Sequence, residues 1–231
     1  MNINGFQKLT LLDFPGKVAA IVFTPGCNFR CPFCHNASLV THIDLSERIS
    51  EDDVLSYLNK RKGLLDGVCI TGGEPLLQND VNDFIKKVKD MGYGVKLDTN
   101  GSNPQKLKEL IDNGLVDYVA MDIKNSKEKY PLTAGCTVDV DAVSRSVELL
   151  LSDAVDYEFR TTVVHPLHTV EDIAAVAEWI KGAKRYFIQG FKDSGDLIGS
   201  GMSRLPDDTL KAMQAAAAAQ NIPTFVRGMD K

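Results

Sequence analysis

"VAAIVFTPGCNFRCPFCHN", residues 18–36, passes from a seven-residue apolar and β-branched run into a loop that holds three of the chain's five cysteines. A short run of this kind suits a strand buried in a parallel sheet. Five more follow at intervals: "GVCIT" (67–71), "YGVKLDT" (93–99), "DYVAMDI" (117–123), "YEFRTTVV" (157–164) and "KRYFIQG" (184–190). Between them the apolar residues change to helical spacing. Val81, Phe84, Ile85 and Val88 share one face, as do Val143, Val147, Leu150 and Leu151. Ser50 followed by Asp53 is a capping-box pattern, and Pro104 can occupy a first helical turn. Six βα units in a row predict an α/β protein, an incomplete (β/α)6 TIM-like barrel with parallel strands and right-handed crossovers. "PTFVRG" (223–228) would add an edge strand, and the alanine run 215–219 would continue the last helix.

At 231 residues, 44% hydrophobic and 25% charged, the chain can bury a full core. No linker or charge block divides it. The expectation is a single domain over 1–231, with an N-terminal extension (1–16), core βα units (17–190), and a C-terminal helix with an edge strand (191–231). A net charge of -5 gives no basic footprint for nucleic acid or anionic lipid. No apolar stretch approaches the roughly 20 residues of a membrane span, and the first residues lack the pattern of a signal peptide. The expected partners therefore include neither nucleic acid nor membrane, and the expected compartment is the cytoplasm. Five cysteines, three of them clustered, point to metal ligation or redox chemistry rather than a secreted disulfide framework.

Polar residues collect where the predicted strands end. Cys27, Cys31 and Cys34 follow the first strand, "GGEP" (72–75) the second, "DTNG" (98–101) ends the third and "DIK" (122–124) the fourth, while His165 and Gln189 end the fifth and sixth. The carboxyl ends of parallel barrel strands form one rim, where sites are assembled. Three cysteines do not close a structural zinc site, which takes four ligands. His35 adjoins Cys34 too closely to be a good fourth, and Cys69 sits in an apolar strand as a small buried side chain. Three thiolates on a cubane iron–sulfur cluster leave one iron open for a substrate. Spacing alone leaves both metals open.

The pattern CxxxCxxC with Phe33 before the last cysteine, followed by "GGEP", resembles the radical S-adenosylmethionine enzymes. Together with "GFQKLTLLDFPGKVAAIVFTPG", "GGEPLLQ", "DTNG" and "MDIK", it resembles the glycyl-radical-enzyme activases, in particular the longer form of the activating proteins of anaerobic ribonucleoside-triphosphate reductase. The resemblance runs over nearly the whole chain and is strongest through residue 124. It implies a 4Fe–4S cluster on Cys27, Cys31 and Cys34 whose open iron chelates S-adenosylmethionine. An electron then yields methionine and a 5′-deoxyadenosyl radical, which would take a Cα hydrogen from a glycine of the partner reductase. Flavodoxin or ferredoxin would donate the electron. Activation of pyruvate formate-lyase, or a small-molecule reaction such as 7-carboxy-7-deazaguanine synthesis, are the alternatives. A zinc-binding protein without catalysis is the rival from another class.

The resemblance also implies roles for individual residues. Gly72, Gly73 and Glu74 would receive the methionine amino group, the glycines allowing close backbone approach. Asp98 and Thr99, with Asp122 and the Ala120 carbonyl, match positions that hold a monovalent cation beside the cofactor carboxylate. Lys124 matches a lysine that contacts this carboxylate. Arg160, a long cation within a strand, is expected either to do the same or to form a structural salt bridge. His35 and Asn36 would pack around cluster and adenine. His165 and His168 are expected to be surface histidines without a role, and Asn100 to precede Gly101 in a turn. Relatives with a late cofactor-binding histidine differ here, where the sixth strand offers Gln189. "DFPG" (13–16) is expected to turn into the first strand, and a role for it in partner docking is a hypothesis.

Overall fold

The structure is a computed structural model that describes residues 1–229. Its strands are β1 (Gly5–Thr10), β2 (Ala19–Thr24), β3 (Gly67–Gly72), β4 (Gly94–Thr99), β5 (Tyr118–Asp122), β6 (Asp156–Val163), β7 (Tyr186–Gly190) and β8 (Thr224–Arg227). They form one eight-stranded sheet in chain order. β3 is parallel to both β2 and β4, and β7 is parallel to both β6 and β8, so the α/β architecture and the C-terminal edge strand are as expected. Among the described residues, no helix is long and apolar enough to cross a membrane.

β1 lies inside the segment expected to be an extension. It is antiparallel to β2, with Gly5, Phe6 and Gln7 opposite Phe23, Val22 and Ile21. Its sequence, GFQKLT, hides the strand because only Thr10 is buried, so little apolar alternation is present to read.

The fold groups into two compact units. The first contains Met1–Asn28, Ser38–Thr99 and Gln105–Val119. Val68, Ile70, Val95 and Leu97 of its strands are fully buried, as are Val54 and Leu58 of α2 (Glu51–Lys60), which follows the short α1 (Ala37–Thr41). Val81, Phe84, Ile85 and Val88 of α3 (Val81–Asp90) are buried as the spacing predicts, each such side chain contributing about 1.5–3 kcal/mol. α4 (Pro104–Asp112) starts on its proline. Ser50 caps α2 by accepting the Asp53 N–H, but the Asp53 carboxylate takes the Ser50 hydroxyl, so the reciprocal half of the box is not made.

The second unit contains Phe29–Ala37, Asn100–Pro104 and the chain from Ala120 on. Its helices are α5 (Tyr130–Ala134), α6 (Val140–Leu151), α7 (Val170–Trp179) and α8 (Asp207–Ala218), the last absorbing most of the alanine run. A complete capping box opens α7, between Thr169 and Asp172. Tyr130, Tyr157, Phe159, Tyr186 and Phe191 are its largest buried aromatics.

Candidate functional site

In the first unit, β2 leads through residues 24–26 to Cys27, and β3 leads into Gly72 and Gly73. The two turns are stitched together. Gly73 N–H donates to the Thr24 carbonyl and Glu74 N–H to the Gly26 carbonyl, both at 2.8 Å. A Cβ on Gly72, whose φ is +117°, would meet Thr24 backbone at 2.4 Å, and one on Gly73 would lie 2.0 Å from the Gly26 oxygen. The missing side chains are thus used by the chain's own backbone, in addition to any ligand. Glu74 is fully buried; its carboxylate accepts from Leu76 N–H at 3.1 Å and from the Thr99 hydroxyl at 2.8 Å. Gln78 Nε2 donates to the Pro25 carbonyl at 2.9 Å, and Lys106 reaches the Gln78 carbonyl. "GGEPLLQ" is therefore a brace on the turn that presents Cys27.

Asp98, at the end of β4, is ion-paired with Lys96, which is only 1% exposed. The sequence reading passed over Lys96. The available signal was the one used for Arg160: a lysine inside a buried strand must find a carboxylate, because an isolated buried charge costs several kcal/mol.

In the second unit, residues 29–36 are held on several sides. Cys34 N–H donates to the Cys31 carbonyl at 3.1 Å, forming a turn between the two cysteines. Arg30 N–H donates to Ala134 at the end of α5, and a Cβ on Gly135, in the left-handed region at +68°, would lie 2.2 Å from the Arg30 oxygen. Gly199 N–H donates to the Pro32 carbonyl at 2.8 Å. His35 stacks on Phe191 with centroids 5.6 Å apart, and its Nε2 meets the Lys192 carbonyl at 2.8 Å. Asn36 is partly buried. The segment after β7 that supplies Phe191 and Gly199 has no chemical motif, so its hold on the cysteine loop was not legible in the sequence.

Asp122, ending β5, lies between two cations. Its Oδ1 accepts from Arg160 Nε at 2.8 Å, and its Oδ2 is 3.2 Å from Lys124 Nζ. Burial opposes ionisation of Asp122, but Arg160 and Lys124 outweigh it and hold the carboxyl well below the usual carboxylate range. Arg160 thus makes the structural salt bridge foreseen as one of its two roles. Asn100 accepts from Ser102 N–H at 2.9 Å, as a turn residue ahead of Gly101 should. Gln189 is partly exposed on β7, and His165 pairs its backbone with Ser203.

His168 differs from expectation. It is 3% exposed, and its ring packs edge-on against Phe33 at 5.9 Å. Sequence could not show this, because the contact joins residues far apart in the chain.

Cys31 is buried, while Cys27 and Cys34 are partly exposed. As a donor set they suit a 4Fe–4S cluster, which takes three thiolates and leaves an iron open. His35, the neighbouring candidate for a fourth zinc ligand, instead turns Nε2 to a carbonyl and its ring to Phe191.

Comparison with known proteins agrees with this chemistry. A protein of Methanocaldococcus jannaschii, provisionally named a glycyl-radical enzyme activating enzyme, is 35% identical over 201 residues, covering 84% of this chain and 82% of its own. The pyruvate formate-lyase-activating enzyme of Clostridium pasteurianum is 30% identical over 128 residues, 53% of this chain and 52% of its own. The crystal structure of Streptococcus suis SuiB shares the fold, with a TM-score of 0.71 at 13% identity over 91% of this chain; the match spans 49% of that longer chain. The family profile described as the Radical SAM superfamily matches residues 21–180, the span that runs from β2 through the cysteine loop to the end of α7. The chain belongs to the Radical SAM superfamily and is an enzyme of that type, which implies a 4Fe–4S cluster and S-adenosylmethionine as its cofactors.

Proposed function

We propose that the enzyme is a glycyl-radical-enzyme activase whose substrate is a glycine of anaerobic ribonucleotide reductase. The observation that carries this reading is the braced turn of the first unit. A glycine pair that admits no Cβ, together with the glutamate after it, is stitched to Thr24 and Gly26, just ahead of the first cysteine of a CxxxCxxC loop. In this reading Cys27, Cys31 and Cys34 hold the cluster. When bound, the cluster supplies the electron that splits S-adenosylmethionine into methionine and a 5′-deoxyadenosyl radical, the oxidant for a glycine Cα–H bond.

The chain's own residues bind and orient. Gly72, Gly73 and Glu74 receive the methionine amino group; the buried Glu74 side chain shapes the turn, so the contacts offered are those of the backbone. Lys124 and Arg160, both engaged with Asp122, offer cations to the cofactor carboxylate. A monovalent cation at Asp98 would compete with Lys96 for its carboxylate. His35 and Asn36 cover cluster and adenine. A flavodoxin or ferredoxin supplies electrons, in the cytoplasm.

The formate-lyase-activating relative favours a second reading, in which pyruvate formate-lyase is the partner. One experiment decides between the two. The anaerobically reconstituted, reduced protein is given S-adenosylmethionine with either purified enzyme, and the electron paramagnetic resonance spectrum and 5′-deoxyadenosine are recorded. A glycyl-radical signal with the reductase alone is the expected result. A signal with the lyase alone moves the partner, and iron-loaded protein that forms no deoxyadenosine overturns the reading.

A further inference from the structure

We infer that His168 is a positioning residue that ties the backbone of Lys124 to Phe33, the aromatic beside the last cysteine of the loop. This rests on the activase reading, through the roles given there to Lys124 and Cys34. His168 lies on the β6–α7 loop, where its own N–H and that of Leu167 both donate to the Val164 carbonyl in a tight turn, at 3.1 and 3.0 Å. Val164 N–H in turn donates to His168 Nδ1 at 3.2 Å. Nδ1 also lies 3.3 Å from the Val164 carbonyl, but the shorter carbonyl contact is that of Nε2 to Lys124 at 2.8 Å, so the proton is assigned to Nε2, which donates there while Nδ1 accepts. Burial lowers the imidazole below its ordinary range, which keeps it neutral and preserves this single arrangement.

The same loop grips the next residue as well. Asn125 Nδ2 donates to the Leu167 carbonyl at 3.0 Å and to the Thr133 hydroxyl at 2.8 Å. Residues 124 and 125 are therefore fixed from the loop, while the imidazole ring is held by its T-shaped contact with Phe33. Such a strut sets where the Lys124 ammonium projects relative to the turn that holds Cys31 and Cys34, all within one unit. A histidine serving only as core packing would stabilise the fold without coupling to Lys124.

The test is a double-mutant cycle in the full-length, anaerobically reconstituted protein. It reads iron content, S-adenosylmethionine affinity by equilibrium dialysis, and the change that S-adenosylmethionine causes in the spectrum of the reduced cluster. His168→Leu should keep its iron yet bind S-adenosylmethionine about tenfold more weakly, the scale of losing an outer support of a site. His168→Gln, which retains an N–H donor, should recover most of the affinity. In a Lys124→Ala background, His168→Leu should cost no further affinity, because the side chain being positioned is gone. Wild-type affinity in His168→Leu, or a full additive loss on top of Lys124→Ala, overturns the inference. Should His168→Leu not fold, His168→Phe keeps a ring against Phe33 while losing both hydrogen bonds, and carries the same comparison. Wild-type protein that takes up iron but binds no S-adenosylmethionine overturns the activase reading instead.

Discussion

Replacing Gly73 by alanine should open the brace beside Cys27. The new Cβ would sit 2.0 Å from the Gly26 oxygen and 2.6 Å from its carbonyl carbon. Ordinary contact begins at 3.4 Å, so the two turns must part by about 1.4 Å. Neither is free to yield cheaply, because the contact is backbone on backbone. Parting by that amount stretches the two 2.8 Å bonds, Gly73 N–H to Thr24 and Glu74 N–H to Gly26, beyond hydrogen-bonding range. Each lost bond costs about 0.5–1.5 kcal/mol and the overpacking about 1–3 kcal/mol, for a total of about 2–6 kcal/mol. Denaturant unfolding of the reduced apoprotein measures the loss. Gly92→Ala is the control: Gly92 has a φ of +90° with nothing within 4 Å, so only backbone strain of about 1–2 kcal/mol is expected there. Iron uptake by Gly73→Ala should fall as well, since the displaced turn presents Cys27. A Gly73→Ala protein no less stable than Gly92→Ala, with full iron loading, would refute the reasoning.

Three further outcomes are expected. Cys27→Ala, Cys31→Ala and Cys34→Ala should each abolish 5′-deoxyadenosine formation; full activity in any one removes that residue from the ligand set. Lys124→Ala should weaken S-adenosylmethionine binding while iron content stays at the wild-type level, measured by dialysis and metal analysis. Asp122→Asn should lower stability near neutral pH by about 1–2 kcal/mol, a charged pair discounted for its partial exposure. Because the folded Asp122 carboxyl titrates below its ordinary value of 3.8, its contribution is complete above that value and lost as pH falls towards the folded value. The gap between wild type and Asp122→Asn in denaturation should therefore narrow below about pH 4, and a gap constant from pH 7 to pH 3 would contradict the ion-pair assignment.

Much of the architecture was legible because buried parallel strands read as apolar runs whatever surrounds them. "VAAIVFT" became β2 and "GVCIT" became β3, with boundaries displaced by a residue. The α3 face of Val81, Phe84, Ile85 and Val88 is equally a matter of local spacing. β1 escaped because an edge strand with one buried residue carries almost no pattern.

The sequence by itself carried the outline of the chemistry: three thiolates in eight residues narrow the site to zinc or a cluster with an open iron, and the resemblance of CxxxCxxC followed by "GGEP" to the radical S-adenosylmethionine enzymes points to the cluster. Only the tertiary structure decided what supports that chemistry. It gave the glycine pair a backbone neighbour at residues 24–26, Asp98 a buried lysine, Asp122 two cations, and His168 an interior place between Phe33 and Lys124. The physical reason is range. Ligand spacing and apolar periodicity are properties of neighbouring residues. A salt bridge across strands, or a ring against a ring from a loop more than a hundred residues away, depends on where the sheet places the ends of its strands.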